Sequence, residues 1–190
     1  MIATIATTGA RTRIRDAAME LMARKGIAGT TTQDIARRAR CSQAAIYKYW
    51  ESKEALAHER FQEAHRSMIE AMQEAAVGKN ASEKVLGALI GLVHFARSHP
   101  AEYAFLFQVF HSDYARWLTE HDKPRDVVLR EIRNAMKAGD IPQGSPEMKA
   151  ALLLGMAIRV AFFERQKLVG AAPEEVDEGL LMAAAAVLES

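Results

Sequence analysis

The sequence predicts an all-α protein, with a small helix-turn-helix head preceding a larger helical body. Three observations predict it: apolar residues recur at helical spacing almost from end to end, no run alternates at period two, and capping residues stand ahead of the apolar stripes. The composition agrees, being rich in Ala, Leu, Met, Glu, Lys and Arg with only 11 Gly and 5 Pro in 190 residues. This length suits one domain or a small domain fused to a larger one, here with roughly nine helices.

The elements follow in order. Ile14, Ala17, Ala18, Leu21 and Met22 form one face of a first helix that Gly26 terminates. Thr31 caps a second helix, with Asp34 in capping-box position and Ile35 and Ala39 facing inward. Ser42 opens a short third helix through Ala45, Ile46 and Tyr49. Ser52 caps a long fourth, from about Lys53 to Val77, with Leu56, Phe61, Met68 and Met72 inside. Val85, Leu86, Leu89, Leu92, Val93 and Ala96 stripe a fifth helix that stops before Pro100, and Pro100 opens a sixth with Tyr103, Leu106, Phe107 and Phe110. A weaker stretch over 112–119 leads to a helix with Val127, Val128, Ile132 and Met136 that ends near Gly139. The last two helices start at Pro146 and Pro173 and run to about Val169 and Leu188.

Charge and motifs exclude several classes. The first 53 residues carry ten Lys and Arg against four Asp and Glu, a balance of +6, so the rest carries −5 under a whole-chain charge of +1. A basic head on a mildly acidic body points to a polyanion. The apolar runs 85–96 and 150–163 fall short of the roughly 20 residues a bilayer requires. The start MIATIATTGA lacks a basic n-region, and Cys41 is the single cysteine, so a cytoplasmic protein without disulfides is expected. No HExxH, GxSxG or Gly-rich phosphate loop occurs, and the spacing of His94 and His99 does not suit two ligands on one helical face. An enzyme, a metal site and a cofactor are therefore not expected.

The head carries the chemistry. Only Ala39, Arg40 and Cys41 separate the second and third helices, too short a link for an antiparallel pair, so the two cross steeply as a helix-turn-helix. Such a unit places the N-terminal part of its second helix in the DNA major groove. Ser42, Gln43, Ala44, Tyr47 and Lys48 face outward there, and Gln43 suits a bidentate contact to a base, most naturally adenine. Thr31, Thr32, Gln33, Tyr49, Lys53 and Arg13 complete the expected contact set, chiefly at phosphates and at helix N-termini.

The run TTTQDIARRARCSQAAIYKYWESKEAL, preceded by AAMELMARKGIAGT, resembles the DNA-binding head of the TetR family of bacterial transcriptional regulators. The resemblance covers about residues 11–57 and rests on Gly26, Thr31, Ile35-Ala36, Ser42, Ile46-Tyr47, Tyr49, Ser52-Lys53-Glu54 and Leu56. Arg40 stands where the family usually has glycine, and Trp50 where it usually has phenylalanine. The resemblance implies an arm over 1–10, a DNA-binding domain over 11–57 and a ligand-binding and dimerisation domain over 58–190. It further implies a repressor that binds a palindromic operator as a homodimer, through helices at about 146–169 and 173–188, and is released by a small molecule. Phe61, His65, Met68, Phe95, His99, Tyr103, Phe107, Phe110, His111, Trp117 and Met156 are the candidate lining of a mostly apolar pocket, which suits a lipophilic effector. The alternative is a helix-turn-helix protein without an inducer.

Overall fold

Local signals set the order α1 (Ile2–Lys25), α2 (Thr32–Ala39), α3 (Gln43–Tyr47), α4 (Lys53–Ala75), α5 (Ala81–Ser98), α6 (Pro100–Phe110), a 3-10 helix (Asp113–Glu120), α7 (Pro124–Ala138), α8 (Pro146–Arg165) and α9 (Pro173–Glu189). A computed structural model describes residues 2–120 and 123–190, with side chains over 9–117 and 123–190. Among these residues there is no strand, and no helix is long and apolar enough to cross a membrane. Three boundaries differ from expectation. α1 already begins at Ile2, so residues 2–10, expected as an arm, are helical; Met1 lies outside the described residues. α4 stops at Ala75, and α5 is capped by Asn80, whose side-chain oxygen accepts from Glu83 N at 2.8 Å. α8 stops at Arg165 rather than Val169 because Lys167 turns left-handed (φ 56°) and Leu168 N returns to Phe163 O. A lysine there gives no glycine signal to read.

The chain divides into two compact units, Met1–His65 with Ala101–Thr119, and Arg66–Pro100 with Glu120–Ser190. In the first, the predicted face of α1 is buried (Ile14, Ala17, Ala18, Leu21, Met22) with Ile35, Ile46, Trp50, Leu56, Phe61 and Phe105. Polar ties then fix the entry to α4. Glu59 accepts from both Arg11 Nη2 and Trp50 Nε1 at about 3.0 Å, and Arg11 lies 5.5 Å from the Trp50 ring centroid. Glu63 takes Arg15 and Arg60.

The second unit gathers α5, α7, α8 and α9 around Val85, Leu89, Leu92, Val128, Ile132, Leu153, Ala157 and Ala184. Gly87 and Gly91 bring α5 into backbone contact with the end of α4: Cβ atoms at these positions would stand 2.1 Å from Ala75 O and 2.4 Å from Ala71 O. Buried Lys149 on α8 donates to Val187 O and Leu188 O, satisfying carbonyls that the end of α9 leaves open.

Candidate nucleic-acid interface

Caps and a left-handed turn build the helix pair. Thr31 is extended (φ −103°, ψ 156°) and its side-chain oxygen accepts from Asp34 N at 3.0 Å, which starts α2. Arg40 ends it at φ 53°, ψ 52°, with its N–H on the Ala36 and Arg37 carbonyls and Cys41 N on Ala36 O. A non-glycine residue in this conformation costs about 1–2 kcal/mol; the turn nonetheless keeps its geometry and gains a cation. Ser42 accepts from Ala45 N at 3.2 Å and opens α3.

Burying Ile46 and Trp50 fixes the phase of α3 and leaves Ser42, Gln43, Ala44, Tyr47 (53% exposed) and Lys48 outward, with Tyr49 half-buried. On α2, Thr31 and Gln33 are exposed and Thr32 is half-buried. Arg13 is exposed on α1, and its Nε donates to Ala39 O at 3.2 Å, at the end of α2. Lys53 is placed otherwise than expected for a phosphate ligand. Its side chain is 18% exposed, and Nζ donates to Ile27 O (2.7 Å) and Thr30 O (2.9 Å). These turn carbonyls lie beyond the end of α1, and the ammonium satisfies them.

The head's charge is partly spent internally. Arg37 pairs with Asp34, Arg38 with Glu20, and Arg11 and Arg15 with the glutamates of α4. Arg13, Arg24, Arg40 and Lys48 have no carboxylate partner among the described residues. Arg24 and Arg40 are thus cations that the helix-phase argument did not select as contacts. A hydrogen bond from Thr31, outweighing the residue's slight burial, with help from Lys25 and Arg37, holds the Asp34 carboxyl below the usual range. Thr31→Ala removes the cap and is expected to cost about 1 kcal/mol in urea unfolding. The Asp34 titration, followed by NMR, should move up in the same variant.

The candidate pocket residues are distributed over both units. In the first unit Phe61 stacks on His65 (5.4 Å between centroids), lies 5.6 Å from Trp117, and His65 meets Phe110 edge-on. Tyr103 is buried there, while Phe107 and His111 pair along α6, with His111 exposed. In the second unit Met68 is buried and Met156 half-buried. Phe95 and His99 stack at 5.0 Å and line a groove of about 570 Å³ with Glu70 and Glu74 opposite. Among the described residues no group of three or more His, Cys, Asp or Glu side chains is placed to hold a metal ion.

The family model of bacterial regulatory proteins, tetR family, matches residues 14–59, which span the end of α1 to the start of α4. Over 44 residues the chain is 46% identical to the uncharacterized HTH-type transcriptional regulator YvkB of Bacillus subtilis (strain 168), a match spanning 23% of each chain. The fold as a whole matches a tetR-family bacterial regulatory protein from Rhodococcus RHA1 (TM-score 0.80, 23% identity, covering 94% of this chain and 96% of that one). A TetR family transcription regulator from Marinobacter aquaeolei VT8 matches over the full length of both chains, with TM-score 0.81 and 19% identity. These relatives are described as regulators; residues 14–59 match the tetR-family model, and the chain as a whole shares the fold of the tetR-family proteins it is compared with.

Proposed function

We propose that the protein is a transcriptional repressor that reads an inverted-repeat operator in double-stranded DNA as a homodimer and releases it when a small, largely apolar molecule binds. The exposed row Gln43, Ala44, Tyr47 and Lys48, held outward by buried Ile46 and Trp50, is the observation that carries this reading. Gln43 reads a base edge, and Thr31, Arg13, Arg40 and Lys48 meet phosphates. Lys53 acts by positioning the turn ahead of Thr31, so it belongs to the DNA site through the backbone it holds.

Two further features support the dimer and the effector. On α8, Met148, Leu152 (49% exposed), Gly155 and Arg159 share one outward face; on α9, Gly179, Met182 (76% exposed), Ala183 and Ala186 share another. Cβ atoms at Gly155 and Gly179 would meet nothing within 4 Å, so a second copy can approach closely. Near Trp117, His58 Nε2 is buried without a hydrogen-bond partner, and such a group suits a polar atom on an otherwise apolar ligand.

Selection of binding sites from random duplex DNA is expected to enrich an inverted repeat. Gln43→Ala and Tyr47→Ala should each weaken binding to it by about tenfold. Lys48→Ala should weaken binding to all sequences alike and lower the salt slope by about one. Weak, steeply salt-dependent binding with no consensus would overturn the operator reading.

A further inference from the structure

A cavity of about 160 Å³ lies in the first unit, between the turn that follows α1 and the face of α6. Ile27 and Ala28 line it from the turn, Phe105 and Val109 from α6, and Tyr114 from the start of the 3-10 helix. Ile27, Phe105 and Val109 are buried. A cavity of this size accommodates a single aromatic ring.

One polar group gives the cavity a chemical preference. Gln108 lines the cavity, and its Nε2 donates to Ala23 O at 2.7 Å, which fixes the amide with Oε1 as its remaining acceptor. That oxygen would stand 2.9 Å from a Cβ on Gly26, where φ is +74°, so the chain passes close to it on a residue that must be glycine. Asp113, also in the lining, disfavours an anion. We propose that this cavity is a binding site for a small neutral aromatic molecule bearing one hydrogen-bond donor, of phenol or indole size, and that its occupancy stiffens the turn entering α2.

The route to α2 is short. Ile27 lines the cavity, its carbonyl accepts from Lys53 Nζ, and Thr30 Oγ1 donates to Gly26 O at 2.7 Å. The next residue is Thr31, the cap of α2. A ligand seated against Ile27 and Gln108 favours the turn conformer that these bonds define, by its preference for that conformer over others. The inference stands independently of any operator, because site and readout both lie in the first unit and need no DNA.

The test is an amide NMR titration of the full chain with phenol, and with toluene as the ring without the donor. Saturable phenol shifts are expected at Gly26, Ile27, Ala28 and the Gln108 side-chain amide, together with slowed hydrogen exchange of the Thr30 amide, which is bonded to Ile27 O. Val109→Trp should fill the cavity and abolish the shifts. Gln108→Leu should remove the preference for phenol over toluene, expected at about fivefold. Non-saturating shifts, shifts centred elsewhere, or equal binding of phenol and toluene to the unaltered protein would overturn the proposal. If Val109→Trp does not fold, the comparison of the two probes in the unaltered chain and in Gln108→Leu decides alone.

Discussion

Gly91→Val is expected to lower the unfolding free energy by on the order of 3 kcal/mol, the upper end of what overpacking costs. A Cβ at this position would stand 2.4 Å from Ala71 O and 2.9 Å from both Ala75 Cβ and Met72 Cα. These atoms are α4 backbone or a methyl fixed to it, so no rotamer change relieves the clash. The helices must part, and on its other faces α5 holds fully buried Val85, Leu89 and Val93 against the rest of the second unit. Replacing glycine inside a helix ordinarily gains a few tenths of a kcal/mol or more, so the loss works against propensity and reports packing alone. Gly87→Ala should behave similarly, its Cβ lying 2.1 Å from Ala75 O. Urea unfolding with a two-state fit checks both. A change within half a kcal/mol would mean that α5 can slide away from α4 without loss.

The helices were legible for a simple reason. A helix that buries one face must repeat apolar residues at its own period, and the stripes on α1, α4, α5 and α7 are found buried, apart from half-buried Leu86 on α5. The outward row on α3 was legible on the same ground, since Ser42 sets the start and Ile46 sets the phase. Lys53 was not legible. Its partners, the carbonyls of Ile27 and Thr30, stand more than twenty residues away, and only the folded turn brings them within reach. Lys149 against the end of α9 is the same case. The pocket residues are a different case: their chemistry suits a cavity, but composition carries no information about which side chains meet. Phe61, His65, Phe110 and Trp117 lie in one unit while Met68, Phe95, His99 and Met156 lie in the other.

Arg97→Ala is expected to cost about 2 kcal/mol near neutral pH, less than a fully buried pair because the site is partly solvated. One guanidinium holds three strands of chain together. Nε donates to Glu164 on α8 at 3.1 Å, Nη2 and Nη1 take the two Asp177 oxygens on α9 at 2.7 and 3.1 Å, and Nη2 reaches Pro173 O. His94 Nε2 also meets Asp177 Oδ2, at 2.7 Å. Truncation leaves two carboxylates side by side with only His94 to offset them. The pH dependence distinguishes this account from simple loss of packing. Burial pushes the Asp177 carboxyl up, but the hydrogen bonds and charges of Arg97 and His94 outweigh it and hold the group below its usual range. Burial likewise disfavours the Arg97 cation, and Asp177 and Glu164 more than compensate. A carboxyl with a depressed native pKa contributes full stability above the unfolded-state value, and that stability drains away as pH falls through the native value. The unaltered protein should therefore lose stability from about pH 4 downward, while Arg97→Ala changes less over the same window. The gap between the two, measured by urea unfolding, should narrow on acidification; a constant gap would mean that the arginine acts through its aliphatic stem and not through the ion pairs.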